Sequence, residues 1–279
     1  VYEAVHATLG YRAAIKLLKP RDDDELSEQV RERFLREARL MAQLEHPDLV
    51  HLYDYGLTPD GQPYIVMEFL TGHTLTRELW HHGAMKPLRA HRLMCRALHA
   101  LELAHRAGII HRDLKPSNLM STTTEEGEEV IKILDFGVSS HVTGNQGKIF
   151  GTPLYMAPEQ TISMKVDRRA DQFSLAVILY ELVTGRRPWN ITRWEDASPW
   201  ERDRNAPKPP SFYMRDGNPE IDGVIMRALE IDPVRRWPDI QSFAWGLAMA
   251  SGIEWSALPD PWDRAGASIQ HRSQSSRRA

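Results

Sequence analysis

His111-Arg112-Asp113-Leu114-Lys115-Pro116-Ser117-Asn118-Leu119-Met120 is the stretch on which the reading of this chain turns. It gathers a carboxylate, an ammonium and an amide, at Asp113, Lys115 and Asn118, into one short segment that Pro116 keeps from becoming helix. Seventeen positions beyond Asn118 stands Asp135-Phe136-Gly137, directly after the alternating segment Val130-Ile131-Lys132-Ile133-Leu134, which reads as a strand. Ala157-Pro158-Glu159 closes the next segment. Near the start, Ala13-Ala14-Ile15-Lys16-Leu17-Leu18 also alternates, so Lys16 shares a face with Ala14 and Leu18. A lysine on the inner face of a strand is costly unless something anionic meets it.

Strand patterns dominate the first part of the chain and helical patterns the rest. From Glu25 to Leu44, Phe34, Ala38, Met41 and Leu44 recur at helical spacing. Thr58-Pro59-Asp60-Gly61 is turn chemistry, and Tyr64 to Leu70 reads as a buried strand. Helices are expected over His91–Arg106, Asp171–Thr184, Ile221–Glu230 and Ile240–Ala250. The polar run from Thr122 to Glu129 reads as a solvated hairpin tip, and the Ser/Arg-rich run from Arg264 to Ala279 as a linker or tail. This order predicts an α+β fold with two unlike lobes. Residues 1–70 would form the first lobe and hinge, 71–255 the second, and 256–279 the tail.

Composition narrows the function classes. A hydrophobic content of 42%, a charged content of 26% and a net charge of −3 describe an ordinary globular chain, and they argue against nucleic acid as a partner. The single cysteine, Cys95, excludes an internal disulfide and a cysteine-based zinc cluster, which suits a reducing, cytoplasmic setting. No apolar run approaches the roughly 20 residues of a membrane helix.

Taken in order, the segments at Lys16, His111–Met120, Asp135–Gly137 and Ala157–Glu159 resemble the signature of protein kinases, over Val1 to about Ala250. The resemblance implies a two-lobed fold: a small antiparallel-sheet lobe with one main helix, and a larger, mostly helical lobe. It implies ATP with Mg2+ as cofactors, Mn2+ being a second candidate. Asp113 would orient the attacking hydroxyl and take its proton. Lys115 would offset charge on the moving phosphoryl group. Asn118 and Asp135 would ligate the metal, since hard cations prefer oxygen donors. Lys16 would hold the nucleotide phosphates, with Glu37 as its partner.

By the same resemblance Val1, Ala14 and Met120 would enclose the adenine, Met67 would be the gatekeeper, and Glu68 and Leu70 would offer hinge backbone groups. Asp171 would brace the catalytic loop, Glu159 would pair with Arg236, and His111 would pack beneath Phe136. Lys115 within Asp-Leu-Lys-Pro-Ser-Asn, and Thr152 within Gly151-Thr152-Pro153, are similar to serine/threonine kinases, with the bacterial group the best fit. Arg112 beside Asp113 implies an activation loop ordered by a phosphate, with Thr143 the first choice of site and Ser139 and Ser140 the others. Protein substrates and self-association for autophosphorylation would follow. In the family a glycine-rich phosphate loop precedes the position of Val1, and those glycines are not in these 279 residues. The sequence therefore reads as starting part-way into the domain, within a parent that a segment beyond the tail could tether to a membrane. Two rivals are a scaffolding pseudokinase and a kinase for small molecules. The intact polar set counts against the first, and the Ala157–Glu159 segment against the second.

Overall fold

In the computed structural model the described residues are 1–18, 28–136, 153–163, 166–192 and 194–254, excepting the side chains of Gln29, Val30, Arg33 and Trp194. Strands β1 (Tyr2–Val5), β2 (Arg12–Leu17), β3 (Leu52–Leu57) and β4 (Pro63–Glu68) make one antiparallel sheet in the order β1-β2-β4-β3. Helix α1 (Glu28–Met41) covers it. Phe34 and Ala38, on one helical face, pack with Leu18, Val50, Ile65 and Met67 into the small core of this lobe. Each large apolar side chain buried there stabilises the lobe by about 1.5–3 kcal/mol.

The second lobe is helical around one buried axis. Helix α4 (Arg169–Thr184) is apolar nearly all round, and from Phe173 to Leu179 every residue is buried. Around it stand α3 (Pro87–Arg106), α6 (Pro219–Ala228) and α7 (Ile240–Ser251). A second sheet of β5 (Gly72–Thr74), β6 (Leu119–Thr123) and β7 (Glu129–Ile133) lies on this side, all antiparallel. It matters for the site because β6 follows Asn118 directly and β7 ends two residues short of Asp135.

Three short elements have no clear signal in the sequence: β5, α2 (Leu75–His82) and α5 (Pro199–Arg204). β5 exists because β6 pairs with it, and Gly72 permits that approach. Its φ is +156°, and a Cβ there would stand 2.1 Å from the Ser121 carbonyl oxygen. The strand expected over Tyr64–Leu70 ends at Glu68, where the ladder with β2 ends at the Ala13–Glu68 pair. The polar run expected to be a solvated tip is exposed from Thr123 to Glu128, apart from the half-buried Thr124. Glu128 accepts from Arg96 at 2.7 Å, and Glu129 from Arg89 and Ser121 at 2.6 Å each, so both fasten the hairpin to its surroundings.

Where α3 meets the end of α7, His91 is buried with Nδ1 3.0 Å from the Ser251 hydroxyl. Burial lowers its pKa to about 4 from the ordinary 6.5. The depressed value means that the unfolded chain takes up this proton first as pH falls. The contribution of His91 is therefore fully present above pH 6.5 and is lost on acidification toward pH 4. At pH 5 the loss amounts to roughly 2 kcal/mol. Urea denaturation at pH 7.5 and pH 5 should show His91→Asn less sensitive to acid than the parent by about that amount. Identical pH dependence in the two proteins would contradict the assignment.

Candidate active site

Asp171, in the first turn of α4 and fully buried, organises the loop at His111–Asn118. Its carboxylate accepts the backbone N–H groups of His111 and Arg112, both at 2.9 Å, and a bond from His105 Nε2 at 2.7 Å. Burial alone would raise this carboxyl's pKa. The His105 hydrogen bond and charge, with the Arg112 N–H, outweigh it and hold the pKa below the ordinary value. Arg112 pays a conformational cost, with φ of +64°. It is held on both sides, because Gln160 Nε2 also donates to its carbonyl at 3.0 Å. The role expected of Asp171 thus has a geometric basis.

On that brace the loop's polar groups converge. The Lys115 ammonium lies 2.8 Å from Asp113 Oδ2, and Asn118 Nδ2 donates to the Asp113 carbonyl at 2.8 Å. That bond commits the amide nitrogen of Asn118 and leaves its oxygen as the group to offer a cation. His111 joins the loop to the end of β7. Its Nε2 donates to the Leu134 carbonyl at 2.9 Å, its Nδ1 accepts from the Asp113 N–H at 3.3 Å, and its ring packs on Phe136 with centroids 4.8 Å apart. This pair of bonds selects the neutral tautomer protonated on Nε2.

Across the cleft, Lys16 Nζ meets Asp135 Oδ1 at 2.8 Å. The carboxylate found at Lys16 is thus Asp135, beside the pairing with Glu37 of α1 that the sequence led us to expect. Asp135 takes a left-handed backbone (φ +50°), which Asp tolerates better than most residues, and its carboxylate is the one the ammonium reaches. Of the residues expected around an adenine, Ala14 and Met67 are cross-strand partners, and Leu70 packs on the same cluster. Val1 is exposed at the end of β1, and Met120 lies half-buried on β6 opposite Lys132; neither belongs to that cluster. The Glu68 side chain is engaged by Lys132 Nζ at 2.6 Å and by the His51 N–H at 2.8 Å.

Beyond the loop, Glu159 and Arg236 form the expected pair, with two bonds of 2.7 Å. Gln160, which the sequence reading passed over, accepts from the Ala157 N–H at 2.9 Å and reaches Arg112, so it ties this segment to the loop. Lys132 and His105 were missed as well. Lys132 sits inside the alternating strand and His105 inside a helix, where each looks like an ordinary solvated or core residue. Of the tryptophans, Trp189 is buried against Phe173, while Trp200 and Trp245 are exposed. Gly137, Ser139, Ser140, Thr143, Gly151 and Thr152, and the tail from Trp255, lie outside the described residues.

Comparison with known proteins identifies the class to which this fold belongs. The protein kinase domain model matches residues 1–242, and the chain belongs to that family. A protein described as a probable serine/threonine-protein kinase of Streptomyces coelicolor is 38% identical over 248 residues, covering 85% of this chain and 36% of that one. PknB of Mycolicibacterium smegmatis, a serine/threonine-protein kinase, is 39% identical over 214 residues, covering 74% of this chain and 33% of its own. The crystal structure of the Mycobacterium tuberculosis PknI kinase domain superposes with a TM-score of 0.69 at 27% identity, over 90% of both chains. This chain thus spans about a third of the length of the curated relatives it matches. The expected α+β, two-lobed kinase fold of the bacterial group is borne out.

Proposed function

We propose that this chain transfers the γ-phosphoryl group of ATP, with Mg2+, to serine or threonine hydroxyls of a protein substrate. The observation that carries the reading is the meeting of Asp113, Lys115 and Asn118 in one braced loop, joined through the His111 bond to Leu134 to the segment whose Asp135 lies 2.8 Å from Lys16. Phosphoryl transfer needs positioning and charge neutralisation more than covalent chemistry. Asp113 orients the substrate hydroxyl and accepts its proton as the new O–P bond forms and ADP leaves. Lys115 neutralises charge on the transferring group, and Lys16 holds the phosphates. Ala14, Met67, Leu70, Val1 and Met120 supply apolar contacts to the base, and the Glu68 and Leu70 backbones read its edge.

Asn118 and Asp135 suit a hard divalent cation, for both present oxygen. Among the described residues no group of three or more His, Cys, Asp or Glu could hold a metal by itself. When bound, Mg2+ neutralises phosphate charge; Mn2+ fits the same donors. The names of the relatives support serine and threonine as acceptors. We further assign residues 1–70 to the small lobe and hinge, 71–255 to the large lobe and 256–279 to a linker. Cytoplasmic location and autophosphorylation between two copies complete the reading. Separately, no helix among the described residues is long and apolar enough to cross a membrane.

Lys16→Met tests the phosphate contact. Turnover with a peptide substrate should fall about a hundredfold, the usual scale for losing one such electrostatic contact. Unchanged turnover would remove Lys16 from the mechanism. Assaying peptides against small hydroxylated compounds in parallel tests the substrate class, with transfer to the peptides expected.

A further inference from the structure

Arg202 and Arg236 are the largest fully buried side chains among the described residues, and their charges are met differently. Arg236 has the Glu159 carboxylate. Arg202, on α5, donates from Nη1 to the Met156 carbonyl at 2.7 Å and from Nη2 to the Pro153 carbonyl at 3.1 Å. Its guanidinium stands 5.0 Å from the Phe173 ring centroid and 5.2 Å from that of Trp189, and these two rings stack at 5.6 Å. The Trp189 indole N–H in turn donates to the Arg202 carbonyl at 3.1 Å, which fixes α5 at this point. Burial draws the Arg202 pKa down to about 9, so the fork stays charged at neutral pH.

A buried cation is costly unless its donors are used. Here Nη1 and Nη2 both go to one short segment, Pro153–Met156, immediately before Ala157-Pro158-Glu159, while Nε has no hydrogen-bond partner among the described residues. Among the described residues Arg202 is the one donor to either of those carbonyls. The rest of the segment is pinned by Tyr155 Oη, which donates to Glu181 at 2.7 Å, and by the Glu159–Arg236 pair. A planar fork spanning two carbonyls fixes a backbone's path in a way a single lysine cannot.

We propose that Arg202 is a positioning residue for the polypeptide substrate: it shapes the Pro153–Met156 backbone, which leads into Ala157, and Gln160 ties Ala157 to the Arg112 carbonyl beside Asp113, so that the residues flanking the acceptor hydroxyl rest on this segment. The inference rests on the protein-kinase reading above. It separates the substrate surface from the nucleotide machinery, because the bonds described for Lys16, Asp113, Lys115 and Asn118 do not run through this segment.

The test uses the full-length protein with Arg202→Met and Arg202→Lys. Each is assayed for phosphorylation of the best peptide from a serine- and threonine-containing library, for ATP hydrolysis without peptide, and for nucleotide binding. The KM for peptide should rise about tenfold in Arg202→Met and less in Arg202→Lys, on the scale of losing charge-assisted hydrogen bonds. The KM for ATP and the hydrolysis rate should stay within about twofold. An unchanged peptide KM in both variants would overturn the proposal. So would loss of nucleotide binding in both, which would make Arg202 a residue of the fold alone. If the unmutated protein phosphorylates no peptide yet hydrolyses ATP, the protein-kinase reading fails and takes this one with it.

Discussion

Asp113→Asn should lower kcat for phosphoryl transfer about a thousandfold while the affinity for ATP stays within about threefold. The replacement keeps the size of the side chain, so the Asn118 bond to the residue 113 carbonyl and the brace from Asp171 survive. What it removes is a proton acceptor at the attacking hydroxyl and the negative partner of the Lys115 ammonium. Both belong to the transition state more than to the nucleotide complex. Isothermal titration with a non-hydrolysable ATP analogue, alongside peptide kinetics, separates the two quantities. Near-full activity in the variant would remove Asp113 from the chemistry.

Asp171→Ala should be as damaging by another route. The backbone N–H groups of His111 and Arg112 and the His105 ring would all lose their acceptor inside the protein. Leaving these three buried donors unsatisfied costs about 3–5 kcal/mol. Arg112, already at φ +64°, would lose the bond that holds its amide, and Asp113 follows it directly in the chain. The urea midpoint and the transfer rate should therefore fall together, the rate by about a hundredfold at temperatures where the variant is folded. A destabilised variant with normal kcat would confine Asp171 to the fold. An unaltered midpoint would contradict the brace itself.

The fold was legible where sequence periodicity is enforced by burial. α4 is apolar because it lies inside the large lobe, and α1 and α7 carry apolar stripes because one face of each meets the rest of its lobe. Short elements were illegible because their cause lies elsewhere in the chain: β5 depends on the edge of β6, and α5 on contacts made by a single arginine. In the site, Asp113, Lys115 and Asn118 were readable because one loop carries all three. Lys16 was readable as an inner-face lysine needing an anion, but nothing local points to Asp135. That contact is made in space, where Asp135 takes a left-handed backbone. Gln160, His105 and Lys132 act through partners 48, 66 and 64 residues away, a distance over which spacing says nothing.

Phosphopeptide mass spectrometry tests the central claim most directly. The full-length protein and its Asp113→Asn variant would each be incubated with Mg2+ and ATP, alone and with a library of serine- and threonine-containing peptides. Phosphoserine or phosphothreonine formed by the unmutated protein, and absent with the variant, is the expected result. Phosphate found with neither protein, or equally with both, would contradict it.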